Sequence, residues 1–249
     1  MIDWSKVKNV AIAERVQEEG RNMMKRCHFG VQGITKTEDD VKVALNRLLE
    51  TGFKPMAFDT EMNFVPMLKE LTEGKINLHC AVSYPLGRMT LKKKMQDLET
   101  LLNMGVKDVC VCLDWQAIFS HRYVDLEKEA AAMVKAFDGV FTKNAYVIPA
   151  TLLSDSEMED TLKALDNAGV YSVKVNPGCK LGVSFEEVQL IKRLFPNRFD
   201  IHPSGNIRTL ETFEKYIELG CEVIHTASAL DIVETFMKRQ LMIYGGTEV

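Results

Sequence analysis

This chain of 249 residues has no basic excess, no long apolar run, no paired-cysteine motif and no dinucleotide fingerprint. With 31 Lys and Arg against 35 Asp and Glu, its formal charge is −4. That leaves no surplus of cations to hold nucleic acid or an anionic membrane. Apolar stretches fall short of the roughly 18 to 20 residues that cross a bilayer. Residues 1–26 carry charges throughout and lack the apolar run and small-residue cleavage site of a signal peptide, so a cytoplasmic location is the expectation. Six cysteines, Cys27, Cys80, Cys110, Cys112, Cys179 and Cys221, sit mostly in apolar runs without CxxC spacing. They read as reduced, buried thiols, not as disulfides or a zinc knuckle. Seven prolines and fifteen glycines form no low-complexity linker, so no domain boundary is visible.

What is present is an alternation of helical and strand-like segments. An amphipathic leading helix is expected over residues 3–25. Short runs rich in Val, Ile, Phe and Cys follow near 26–31, 55–59, 77–83, 108–114, 144–151, 170–175, 199–204 and 222–227. Each is too short for a helix, and helical patterns separate them. Ser154 with Glu157 and Ser184 with Glu187 read as capping boxes, and Thr37 precedes three acids of a first turn. Gly52, Gly105, Gly169 and Gly220 stand where a helix ends and a strand follows. Eight strand–helix units in about 225 residues predict a (β/α)₈ TIM barrel in one domain over 1–249, with residues 1–25 leading and 26–240 forming the barrel. A doubly wound sheet would want a glycine fingerprint after its first strand, and HFGVQG does not supply one.

In such a barrel the outer face of each strand packs under helices and is apolar, so alternation becomes location. Tyr171, Val173 and Val175 take the outer side, leaving Ser172, Lys174 and Asn176 inward. The same parity turns Asp200, His202 and Ser204 inward, and Asp108, Cys110, Cys112 and Asp114 likewise. Asp59 faces inward at the end of its strand. The polar rim expected at the C-terminal strand ends is Asp59, Asp114, Lys174, Asn176, His202 and Ser204, the end where barrel enzymes keep their chemistry. A lysine between two outward valines cannot easily snorkel out. Desolvation is expected to lower its pKa toward a neutral amine, which attacks carbonyl carbons. The competing reading is an interior ion pair of Lys174 with Asp114 or Asp200.

Four segments carry a wider likeness. VKVNPGCKLGVSFEEVQLIK (173–192) and DIHPSGNIRTLETFEKYIELGCEVIHTASALDIVE (200–234), with HCAVSYPLG (79–87) and GVKDVCVCLDWQAI (105–118), resemble the deoxyribose-phosphate aldolases, which are Schiff-base enzymes. The resemblance spans about residues 26 to 236 and keeps the order of the motifs. It implies a (β/α)₈ barrel and puts Lys174 on the Schiff-base lysine. It also implies that Gly178, Gly205, Asn206 and Ile207 cradle a substrate phosphate, with Ser228 nearby on the last strand–helix loop. Backbone amides and a helix start near Thr209 suit an anion. The departures matter equally. His202 stands in place of the family's second lysine, and Cys110 in place of its strand-four aspartate. Cys27-His28 replaces an Asp-His pair, and His225-Thr226-Ala227-Ser228 replaces a glycine-containing turn.

The leading expectation is therefore an aldehyde-lyase, a carbon–carbon bond-forming or -breaking enzyme that needs no cofactor. Its substrates would be a small aldehyde or ketone and a sugar-like aldehyde other than deoxyribose 5-phosphate. Lys174 is the expected nucleophile, His202 or Asp114 the expected acid or base, and Cys110 occupies the changed catalytic position. Depression of the lysine pKa is expected from burial, a protonated His202, or Lys36 or Lys180 in the top loops. Small-molecule partners are expected, neither nucleic acid nor membrane, and homo-oligomers are compatible with the sequence. A second reading is a metal-dependent barrel enzyme using His28, His79, His202 and His225, with Asp59 and Asp114 as oxygen ligands. A third is an aldolase-like barrel that binds a sugar phosphate without turnover. The KKK run at 92–94 is expected to be a solvated helix face.

Overall fold

The computed structural model describes residues 2–33 and 35–245. Strands form where the short β-branched and aromatic runs predicted them: β1 (Cys27–Gly30), β2 (Ala57–Thr60), β3 (Leu78–Val82), β4 (Asp108–Cys112), β5 (Lys143–Ile148), β6 (Ser172–Val175), β7 (Asp200–Pro203) and β8 (Ile224–His225). All pair in parallel, in the order β7-β6-β5-β4-β3-β2-β1-β8. A bridge between Ser204 and His225 joins β7 to β8 and closes the cylinder. The fold is a (β/α)₈ barrel.

The helices are α1 (Val10–Met24), α2 (Glu38–Thr51), α3 (Val65–Leu71), α4 (Leu91–Asn103), α5 (Trp115–Phe119), α6 (Tyr123–Phe137), α7 (Asp155–Asn167), α8 (Phe185–Leu194), α9 (Leu210–Glu218) and α10 (Ala229–Ile243). Thr37, Ser154 and Ser184 each close a capping box, with Asp40, Glu157 and Glu187 reaching back to the cap. Each box satisfies two amides that a helix start leaves unpaired, which is why these helices begin where they do. Among the described residues, no helix is long and apolar enough to cross a membrane.

Outward side chains such as Phe58, Val109, Val111, Val173 and Val175 are fully buried and join the helices' inner faces in the main core. Inside the cylinder the walls differ. Cys110, Cys112, Ala145 and Val147 make a small apolar cluster on β4 and β5. His28, His79, His202 and His225, buried with Asp59 and Asp108, occupy the interior from β1–β4, β7 and β8. A barrel packs its interior in layers of side chains, and here part of that packing is imidazole and carboxylate.

Two expectations are corrected. The leading helix does not run from residue 3: a short 3-10 turn at Trp4–Lys6 comes first, and α1 starts at Val10. Asn9 accepts from the Ile12 amide and caps the new start, so Val10 is exposed and Ala13, Val16, Gly20 and Met24 form the buried stripe. The KKK run is not wholly solvated either. Lys94 is fully buried, its Nζ 2.7 Å from Glu129 Oε1 on α6. A charge enters such a place only with a partner, and Glu129 is distant in sequence.

Candidate active site

Lys174 sits within β6, between Val147 of β5 and His202 of β7 in register. Because Val173 and Val175 hold the outer face, its side chain enters the barrel, where the residue is 2% exposed. Nζ lies 3.9 Å from Cys110 Sγ on β4. The chain of contacts continues: Cys110 Sγ is 3.3 Å from His79 Nε2, and His79 Nδ1 is 2.7 Å from Asp108 Oδ1.

Charge in this row is cooperative. Burial opposes ionisation of Cys110, but the Lys174 and His79 charges outweigh it and bring the thiol below its ordinary pKa. Burial likewise opposes the Lys174 ammonium, yet Cys110, Asp59, Cys112 and Asp108 outweigh it and the amine is raised. His79, despite burial, is raised to about 10 by Cys110, Asp59 and Asp108. The expected depression of Lys174 is thereby overturned, because the barrel interior gathers anions around the amine that a single strand cannot reveal.

Above Lys174 opens a cavity of about 420 Å³ at the C-terminal strand ends. Lys174, Gly178, Gly205, Asn206, Ile207 and Ser228 all line it, so every residue assigned by resemblance to the nucleophile and the phosphate cradle meets in one place. Lys36, Lys180 and Arg208 add three cations to its wall. Gly205 has φ of +88°, and a Cβ there would lie 2.2 Å from the Leu181 backbone oxygen. Glycine is therefore required for the loop to pass so close.

No family model matches the chain. The curated deoxyribose-phosphate aldolase of Staphylococcus epidermidis is 25% identical over 200 residues, covering 80% of this chain and 89% of that protein. That of Aquifex aeolicus is 27% identical over 169 residues, covering 68% and 76%. Among solved structures, one titled "QR15, an Aldolase" superposes with a TM-score of 0.79 at 22% identity, over 89% of this chain and 98% of that one. The tetrameric deoxyribose phosphate aldolase of Aeropyrum pernix gives 0.75 at 20% identity, over 90% and 97%. Over most of its length the chain is similar to curated deoxyribose-phosphate aldolases, at 25% and 27% identity.

Measured against the family resemblance, the site departs where the sequence departs. His202, in place of the family's second lysine, holds Asp200 Oδ2 through Nε2 at 2.9 Å. Asp200 is also bound by Lys143 and Ser172, at the N-terminal side of His202. Burial first, and then neighbouring charges, keep the His202 ring below its usual pKa in spite of Asp200. The ring is not part of the cavity wall. Asp114 is likewise away from that wall. It caps α5, accepting from the Gln116 amide at 3.0 Å, and lies 3.8 Å from Arg122. Neither Asp114 nor Asp200 forms an ion pair with Lys174: Asp114 lies against Arg122 and Asp200 against Lys143.

Asn176, expected at the rim, turns instead to Thr151 and Glu187 and ties the strand end to α8. Ser204 does line the cavity. The residues that sequence reasoning undervalued are His79 and Asp108. Asp108 was inward by parity and His79 was named only as a candidate metal ligand, and the two pair in the β3–β4 register. That register was the available signal, but only a known strand pairing turns it into a contact.

Proposed function

We propose that this chain is a Schiff-base aldolase, a lyase that makes or breaks a carbon–carbon bond through Lys174. The observation that carries the reading is a buried amine opening onto a cavity whose lining includes the loops of Gly178 and Gly205 and the cations Lys36, Lys180 and Arg208. The proposed substrates are a small aldehyde or ketone donor and a sugar-like, phosphate-bearing aldehyde. The replaced positions at Cys110 and His202 support a substrate other than deoxyribose 5-phosphate.

The chemistry begins from the ammonium–thiolate pair. A proton passes from Lys174 Nζ to Cys110 Sγ, leaving a neutral amine that attacks the donor's carbonyl carbon. The C–N bond forms, Cys110 returns the proton, and the former carbonyl oxygen leaves as water. The resulting iminium acidifies the adjacent carbon. The Cys110 thiolate takes that proton, and the electron pair becomes an enamine. The enamine carbon attacks the acceptor aldehyde, whose oxygen receives the proton from Cys110. Water then hydrolyses the iminium and restores the pair. In this scheme Cys110 is the acid and base, with His79 and Asp108 behind it as positioning residues.

Reduction with borohydride in the presence of acetaldehyde or acetone, followed by peptide mapping, tests the reading. The expected adduct is on Lys174, present in chelator-treated protein and abolished by a phosphate-bearing competitor aldehyde. A protein that turns over a carbonyl substrate yet gives no adduct at Lys174 would end the proposal.

A further inference from the structure

Beneath the cavity lies a cluster that shares only His79 with the scheme above. His28 of β1, Asp59 of β2, His79 of β3 and His225 of β8 each bring one ligand atom within 4.8 Å of the others, and all four are buried. Their strands neighbour one another around the barrel, so the four side chains converge from adjacent positions of one wall. Ring centroids are 4.2 Å apart for His28 and His225, 4.7 Å for His28 and His79, and 5.2 Å for His79 and His225.

A polar cluster this deep ordinarily pairs every donor and acceptor. This one does not. His28 is 1% exposed, yet neither Nδ1 nor Nε2 makes a hydrogen bond of acceptable geometry. Nδ1 comes within 3.2 Å of Asp59 Oδ1 and Nε2 within 3.4 Å of Asp108 Oδ2, close in distance and poor in angle. Asp59 Oδ1 and His225 Nε2 are also unpartnered, and His225 is 4% exposed. Leaving such groups dry and unbonded costs stability, and a cation among them removes that cost.

We propose that His28, Asp59, His79 and His225 form a binding site for one divalent transition-metal ion of the zinc class. In a tetrahedral site, bonds of about 2.0 to 2.2 Å set ligand atoms about 3.3 to 3.6 Å apart. The ligand atoms here lie within 4.8 Å of one another and reach that spacing with a contraction of roughly an ångström or a little more. Three imidazoles and one carboxylate suit zinc, cobalt, nickel or ferrous iron, whereas magnesium and calcium take oxygen ligands. Asp108 completes the arrangement from behind. Its carboxylate touches His79 Nδ1 and lies against His28 Nε2, the contact that orients an imidazole's other nitrogen toward a metal. With Asp59 as ligand and Asp108 behind, the ion's two charges are matched inside the core. Asp59 and His225 also line the cavity, which is the ion's way in. His202 is excluded from the set because it is bonded to Asp200, and Asp114 because it caps α5.

The site shares His79 with the relay proposed above, and its test, metal retention without substrate, reads out separately from borohydride trapping on Lys174. Tag-free protein is stripped with chelator, loaded with zinc or cobalt alone, desalted, and analysed by mass spectrometry and visible absorption. The expected result is about one ion per chain, with the d–d bands of a four-coordinate nitrogen–oxygen cobalt site. His28→Gln and His225→Asn each lower retained metal at least about tenfold, while His121→Gln, a surface change, leaves it unaltered. Wild-type protein that retains no ion and shows no cobalt bands overturns the proposal, as does retention unchanged in both cluster variants. The cobalt spectrum of the wild type decides the matter even where a variant fails to fold.

Discussion

Lys174 Nζ and Cys110 Sγ stand 3.9 Å apart inside the barrel, although strand β5 separates the strands that carry them. Each lowers the cost of the other's buried charge, and His79 with Asp108 extends the row. If Cys110 carries the proton, Cys110→Ala slows deuterium exchange at the donor's α carbon by about 10² to 10⁴-fold. Borohydride trapping on Lys174 persists in the same variant. Cys110→Asp, which restores a carboxylate, exchanges faster than Cys110→Ala. Exchange at the wild-type rate in Cys110→Ala would remove the thiol from the mechanism.

Asp200 links stability to pH. Burial resists its charge, but His202 and Lys143 prevail and bring its pKa from 3.8 to about 2. A depressed carboxylate stabilises the fold above its unfolded pKa, and the contribution disappears as pH falls through the folded value. The contribution is therefore complete above about pH 5 and lost between about pH 4 and pH 2, amounting to about 2 kcal/mol. Urea unfolding across that range checks it, and Asp200→Asn flattens this part of the profile.

The Lys94–Glu129 pair should be asymmetric under mutation. Glu129 also accepts from the Asp114 amide, so removing it strands both a buried ammonium and a backbone donor. Glu129→Ala is expected to cost about 3 to 5 kcal/mol in urea unfolding. The double change Lys94→Met with Glu129→Leu is expected to recover most of that loss, because neither charge is then left buried alone.

Gly205→Ala tests the cradle. The new Cβ meets the Leu181 oxygen at a backbone conformation that side chains disfavour. The expected cost is about 1 to 3 kcal/mol, with a matching loss of inorganic phosphate affinity measured by calorimetry. Unchanged phosphate binding in a folded variant would move the anion site elsewhere.

Much of this protein was legible before its coordinates. Capping boxes at Ser154 and Ser184 and the eight apolar runs were read correctly because the forces behind them act within a few residues. The start of α1 was misplaced, since the apolar pattern ran through the turn at Trp4–Lys6 and past the Asn9 cap where α1 begins. Asp114 was inward by parity, but the strand ends at Cys112, and two residues later alternation no longer states a direction. Lys94 looked like one of three solvated lysines because its partner lies 35 residues away.

Alternation and turn chemistry alone determined the cylinder and the inward amine at Lys174, while the glycine-rich loops around its mouth came from the family resemblance. Tertiary structure alone decided which inward groups touch: that Cys110, not His202 or Asp114, meets the amine, and that three imidazoles and Asp59 converge below it. The reason is geometric. Period-two patterning states which face a side chain takes, while strand order, stagger and side-chain reach across a closed barrel state whom it meets.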